Sequence, residues 1–386
     1  MTSNSFNSLL TTIAMMGAFG RSAAFVGTMG GGATVRGLAS SCAPSASRAR
    51  FACQSRQFYS HRKCAGAGMS MSDGDFDSYD SKVTFMFPGQ GAQYMGMAAT
   101  ICDEVPKAKE LFDTASGILG YDLLEKCKNG PKDVLDSTEV SQPAIFVCSM
   151  AAVEKLRQEK GDAALDDATC AMGLSLGEYS ALCFAGALSF EDGVKVTKAR
   201  GEAMQAASDA TDGSMVSVIG LKAENVQDIC DAAAKQSGEP VQQVANFLCN
   251  GNYAVSGASK ACDVVEQIAK PDFKARMTVR LAVAGAFHTN FMEAAVDKLG
   301  VVLSSIDLKK PRIPVISNVD AKPHSDPSVI KDILKKQVTN PVQFEQSLSN
   351  VMSKGFEYGY ECGPGKVVAG ILKRVDKKAS MTNVEV

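Results

Sequence analysis

The chain has 386 residues and is nearly neutral, with 40 Lys or Arg against 42 Asp or Glu, but residues 1–72 hold seven of the basic side chains and no acidic one. The remainder therefore carries 33 basic (40 − 7) against 42 acidic residues, a net charge of −9 (33 − 42), which argues against nucleic acid or an anionic membrane as a general partner. No run reaches bilayer-spanning length, nine Cys follow residue 72 without a C-x-x-C pair, and the whole chain has only three His, so no stable membrane association, disulfide framework, metal site or redox cofactor is expected.

Residues 1–72 are rich in Ser, Ala and Gly, the composition of a targeting segment. Leu9 to Phe19 is an apolar run too short to cross a bilayer, and the small residues Ser22, Ala23 and Ala24 lead into Phe25. This arrangement resembles the bipartite presequences of algae whose plastids lie behind extra membranes, an apolar signal part followed by an Arg/Ser-rich transit part. The expected address is the plastid. Met1 to Ser8 lacks the usual positive charge, which keeps a mitochondrial presequence as the alternative. Asp73 to Ser81 has the composition of a solvated linker, and the fold is expected to begin near Lys82.

Val83 to Phe87 is a short apolar run of the kind buried on both faces of a parallel sheet, and it enters a glycine turn at Pro88-Gly89-Gln90-Gly91. Helical pattern follows over Leu111 to Leu119 and, after Ser141-Gln142-Pro143, over Ala144 to Gln158. A second apolar run then meets G-L-S-L-G at Gly173 to Gly177, with Ser175 at its centre. Glycines two residues either side of a serine fit a nucleophile elbow, a strand-to-helix turn too tight for larger neighbours. Such a turn projects the Ser175 hydroxyl and aims the Leu176 amide, at a helix N-terminus, toward an oxyanion forming beside it. The pattern alone fits a plain tight turn equally well; the apolar residues before it and the helix-forming stretch Glu178 to Ala185 favour the elbow.

Ser189 with Asp192 has the spacing of a capping box, opening a helix with Val194, Thr197, Gly201 and Met204 on one face and Arg200 at its rim. Strands over Met215 to Ile219, Val241 to Leu248, Tyr253 to Val255 and Met277 to Val283, with helices over Ala223 to Gln236 and Ala261 to Lys270, run in the order β-α-β-β-α-β of a ferredoxin-like unit. His288, in G-A-F-H-T, heads a helix expected to reach about Leu299, where a helix N-terminus disfavours imidazolium. Ser175 needs a base, and the only other histidine after residue 72 is His324, in the loop composition K-P-H-S-D-P. Asn340-Pro341 is expected to open a further helix, leaving Gln337 in the turn before it, a position that suits a solvated side chain equally well. In Gly363-Pro364-Gly365-Lys366, Tyr360 and Val367 replace the first glycine and the hydroxyl of a phosphate loop, so no nucleotide site is expected.

G-L-S-L-G-E-Y-S-A-L resembles the active-serine segment of malonyl-CoA:acyl carrier protein transacylases, kin of the acyltransferase domains of polyketide synthases. The resemblance extends from about Val83 to Arg374 through F-P-G-Q-G-A-Q (Phe87 to Gln93), K-A-R-G-E-A-M-Q (Lys198 to Gln205), G-A-F-H-T, Q-V-T-N-P-V-Q-F (Gln337 to Phe344) and E-C-G-P-G-K (Glu361 to Lys366). Many members carry His where this chain has Leu174, a departure that removes a secondary polar side chain and leaves the nucleophile in place.

The resemblance implies an α/β fold, an α/β-hydrolase-like core with a parallel sheet and an inserted ferredoxin-like subdomain. On this chain that places the large catalytic subdomain at 82–210 and 284–386, the small one at 211–283, and targeting segment plus linker at 1–81. It makes Ser175 the nucleophile and His288 its base. The amide of Gln90 joins that of Leu176 as the second oxyanion donor, and the Gln337 main-chain carbonyl orients His288. Arg200 becomes the clamp for the free carboxylate of a malonyl group, and Asn246 a side chain at the cleft. Relatives often carry N-x-N there, where this chain has Leu248 in the third place. The implied partners are malonyl-CoA and acyl carrier protein, with no cofactor. Two alternatives stand beside it. A serine hydrolase shares G-x-S-x-G but gives no reason for Arg200 or Gln90; a catalytically silent carrier-binding module gives none for Ser175 and His288 together.

Overall fold

The computed structural model describes residues 76–239 and 242–386, so the targeting segment assigned to 1–72 lies outside the described residues. Val83–Phe87 forms strand β1 and Cys170–Gly173 strand β2. Strands β3 (Gly213–Ile219), β4 (Gln242–Cys249), β5 (Asn252–Ala258) and β6 (Met277–Arg280) follow, then β7 (Val315–Ile316), β8 (Tyr358–Cys362) and β9 (Ser380–Val384).

Five of these strands make a sheet of order β7-β2-β1-β8-β9 in which every pairing is parallel. Its central strand explains why the opening apolar run has no polar alternation. Phe85 and Phe87 point into the core beneath the Thr138–Lys160 helix, while Met86, between them, points into a second core against the Phe344–Ser353 and Val367–Val375 helices. With both faces covered, side-chain alternation leads from one core to the other and never to water. The remaining four strands make an antiparallel sheet of order β4-β5-β3-β6, the neighbour order of a ferredoxin-like unit. Val216 and Val218 face the Ala223–Ser237 and Ser259–Ile268 helices across a separate core, and Met215 and Ala254 turn the other way into the large one.

Three local expectations change. The helix expected from Ala144 already runs from Thr138 to Lys160 with Pro143 inside it, because a proline there forfeits one hydrogen bond within a segment whose burial holds it helical. Ser81, placed in a solvated linker, is fully buried and donates from Oγ to the Val351 carbonyl at 2.6 Å. Gln337 is the last residue of the Pro327–Gln337 helix, and Pro341 opens no helix: Val342 instead bridges to Asn246 of β4, and the next helix begins at Phe344. At Gly363 to Lys366 the Glu361 carboxyl oxygens accept from the Val368 and Ala369 amides, each at 2.8 Å, so an internal acidic side chain occupies the helix start where a phosphate would bind.

Candidate active site

The site is built at the C-terminal ends of β1 and β2, whose following loops lock together backbone to backbone. A Cβ on Gly173 would collide with the Gly177 carbonyl, one on Gly177 with the Phe87 carbonyl, and one on Gly89 with the Leu174 carbonyl. These glycines are therefore demanded by close approach, and the turn they permit holds Ser175 at φ +50°. The Gly177–Phe184 helix starts directly after it. Among the described residues, no group of the chain accepts a hydrogen bond from the amide of Gln90 or of Leu176, so both remain available as donors. The Gln90 side chain is used elsewhere, donating to Thr138 Oγ1 at 3.3 Å.

His288 arrives on the loop after β6. Gly285 of that loop sits so close to Ser208 that a Cβ would collide with the Ser208 side chain, and Ser208 is two turns beyond Arg200 on the Phe190–Asp209 helix. One helix thus places both the loop and the arginine. His288 is itself at φ +60° and precedes a short Asn290–Met292 turn; the helix proper starts only at Glu293. Its Nε2 lies 2.9 Å from Ser175 Oγ and its Nδ1 is 2.7 Å from the main-chain oxygen of Gln337. With Nδ1–H donating to that carbonyl, Nε2 is left as the acceptor facing the serine. Burial first, and the Arg200 charge second, lower the His288 pKa to about 4. The neutral base expected from a helix terminus is thus kept neutral by desolvation instead.

Arg200 departs most from expectation. It lies at no rim: it is 1% exposed, the largest fully buried side chain of the described residues. Its helix approaches the Thr138–Lys160 helix at Gly193, where a Cβ would run into the Phe146 ring, and at Gly201, where one would stand 2.7 Å from the Thr138 carbonyl. The guanidinium donates from Nη1 to Gln142 Oε1 at 2.8 Å and from Nη2 to Gln337 Oε1 at 3.0 Å and Ser175 Oγ at 3.1 Å, and it lies over the Tyr179 ring. A base and a cation therefore converge on one hydroxyl oxygen. Burial lowers the Arg200 pKa, with the neighbouring Tyr179 hydroxyl and the Glu178 carboxyl opposing.

Asn246 stands apart. It pairs with Val342 through the backbone, its buried Oδ1 has no hydrogen-bond partner, and no hydrogen bond joins it to Ser175, His288 or Arg200. Three residues that the sequence did not single out complete the site. Asn318 accepts from the Ser175 amide at 2.6 Å through Oδ1 and donates through Nδ2 to the Gly173 carbonyl at 2.8 Å, bracing the elbow on both sides. Gln142 holds Arg200, and Glu178 holds the side chain of Gln337. The available signals were a lone charge in an apolar eight-residue helix for Glu178 and a polar residue just past a buried strand for Asn318. No metal-ligating group of His, Cys, Asp and Glu exists among the described residues.

The acyl transferase domain family matches residues 84–386. The mitochondrial malonyl-CoA-acyl carrier protein transacylase of Mus musculus is 42% identical over 313 residues, covering 78% of this chain and 81% of that protein. The solved malonyl CoA-acyl carrier protein transacylase of Coxiella burnetii superposes with a TM-score of 0.74 at 34% identity, covering 80% of this chain and 95% of that one. A malonyl-transacylase solved in complex with a type II polyketide synthase acyl-carrier protein gives a TM-score of 0.74 at 32% identity, covering 79% of this chain and 96% of that one.

Proposed function

The chain belongs to the acyl transferase domain family and is an acyltransferase, and on that premise we propose that it transfers the malonyl group of malonyl-CoA to the phosphopantetheine thiol of acyl carrier protein through a malonyl-Ser175 ester. The observation that carries this is the convergence on Ser175 Oγ of His288 Nε2 at 2.9 Å and Arg200 Nη2 at 3.1 Å. The histidine takes the hydroxyl proton as Oγ attacks the thioester carbonyl, and the Gln90 and Leu176 amides receive the oxyanion. Collapse returns the proton to the departing CoA sulfur. The malonyl carboxylate lies two carbons beyond the ester oxygen, a reach that suits the guanidinium already touching that oxygen, and its two oxygens match the planar fork. The carrier thiol then attacks the ester by the same steps in reverse.

A hydrolase would give a buried arginine at the nucleophile no task. The experiment is intact-protein mass spectrometry after mixing with malonyl-CoA. Wild type is expected to gain one malonyl group, Ser175→Ala none, and His288→Ala to acquire it at least about 100-fold more slowly; an undiminished adduct on Ser175→Ala refutes the mechanism.

Two further elements belong to this proposal. Residues 82–210 and 284–386 act as the catalytic subdomain around the inserted 211–283 unit, and Asn246 lines the cleft at their meeting. The acid-free composition of residues 1–72 supports an organellar address; the mouse relative is named mitochondrial, while the small-residue site before Phe25 favours the plastid.

A further inference from the structure

Glu178 takes part in no step of the proposed transfer, yet it lies 3% exposed at the centre of the network that holds the site. Its Oε2 accepts from the Asn318 amide at 3.0 Å and from Gln337 Nε2 at 2.6 Å. The other hydrogen of that Gln337 nitrogen goes to the Ser175 carbonyl at 3.1 Å, while Gln337 Oε1, the opposite prong of the carboxamide, accepts from Arg200 Nη2 at 3.0 Å. A carboxamide has one accepting and one donating end. Turned over, it would set oxygen against the Glu178 carboxylate and NH2 against a guanidinium that can only donate. Asn318, which also binds the Ser175 amide, keeps the carboxylate in place.

We propose that Glu178 is a positioning residue for substrate choice: by accepting from Gln337 Nε2 it keeps Gln337 Oε1 turned toward Arg200, and so fixes the guanidinium that receives the carboxylate of the acyl group. The effect passes through a hydrogen bond and not through charge, and it rests on the assignment of Arg200 made above. An acyl group with no carboxylate gains nothing from a well-aimed guanidinium, so the signature is a change in the preference for malonyl over acetyl.

Two substitutions separate hydrogen bond from charge. Glu178→Gln removes the charge but keeps an accepting oxygen at the same reach; Glu178→Asp keeps the charge but withdraws its oxygens by one methylene, about 1.5 Å. The measurement is the ratio of kcat/KM for malonyl-CoA and acetyl-CoA with acyl carrier protein as acceptor, in the full chain. Glu178→Asp is expected to lower the ratio by about fivefold or more, the worth of one such hydrogen bond, and Glu178→Gln to stay within about twofold. In an Arg200→Ala background Glu178→Asp is expected to leave the ratio unchanged, because the side chain it acts through is gone. A ratio lower in Glu178→Gln than in Glu178→Asp, equal ratios in the two, or an Asp effect that persists undiminished without Arg200, overturns the inference. Arg200→Ala alone separates the two levels: if it does not move the ratio, the carboxylate assignment itself has failed.

Discussion

On the proposed assignment of Arg200, removing its side chain should abolish a preference for a dicarboxylic acyl group. The guanidinium is buried and already bonded to Gln142, Gln337 and Ser175, so a carboxylate arriving on the serine meets a cation held in place and sheltered from water. Truncating one partner of such a pair costs roughly 2 to 5 kcal/mol, much of it from the charge left unpaired. At about 1.4 kcal/mol per tenfold, Arg200→Ala is expected to lower kcat/KM for malonyl-CoA by about 30-fold to several thousandfold. The same change strands two buried amide oxygens, on Gln142 and Gln337, at about 1 to 3 kcal/mol each in stability. That loss falls on every substrate alike, which is why the assay is the malonyl-to-acetyl ratio of kcat/KM and not either value alone. Acetyl transfer by the folded fraction should hold level or rise. Arg200→Lys should recover only part of the ratio, since an ammonium is a point charge that cannot bridge Gln142, Gln337 and a carboxylate as the fork does. If malonyl and acetyl activities fall together in Arg200→Ala, the side chain is structural and the case for a malonyl substrate collapses.

With the His288 pKa lowered to about 4, its neutral form persists well below the usual histidine range, so the acid limb of kcat/KM should lie near pH 4 and not near 6.5. Burial pushes neighbouring Glu178 up to about 7, so an inflection at 6.5 that survives Glu178→Gln would refute this. In stability the depressed His288 pKa has a definite sign: its contribution is whole above about 6.5 and is lost as pH falls toward about 4. Gly173→Ala should destabilise the protein by about 3 kcal/mol or more and abolish the adduct, because its Cβ would collide with backbone that cannot move aside; a native melting temperature would refute the packing described for the elbow. A fluorescent protein fused after Ser72 should enter the plastid of its native cell type; mitochondrial signal would assign the other organelle.

The elbow was legible because its first requirement is local: a Cβ on Gly173 would meet the backbone of Gly177 and Glu178 only a few residues on, although Gly177 itself is demanded by the distant Phe87 and Pro88 carbonyls. The Ser189 cap, whose side chain accepts from the Asp192 amide, was legible for the same reason. Arg200 was not. A helical pattern tells which face a residue is on, but the Thr138–Lys160 helix that buries that face comes from elsewhere in the chain, and its closeness depends on Gly193 and Gly201 meeting it. Gln337 was placed near its true position but given the wrong element, since Asn340-Pro341 has the pattern of a helix start and is used instead to pair Val342 with β4. Glu178, Gln142 and Asn318 matter only through partners distant in sequence, as with Asn318 and Ser175, 143 residues apart. No short pattern can announce such a contact.

The strand order of the large sheet also dictates when it can be completed. β1, the first strand among the described residues, lies between β2 and β8, pairing Thr84 with Cys170 on one edge and Val83 with Tyr358 on the other. A chain delivered N-terminus first, from a ribosome or through a translocation pore, can cover one edge of β1 early but must leave the other bare until its last few dozen residues arrive. Long-range parallel pairing of this kind is slow to form and leaves unpaired strand edges open to other chains while it waits. A product ending before Tyr358 would therefore hold the Ser175 elbow on an unfinished sheet, and an aggregate, not a partly active enzyme, is its expected fate.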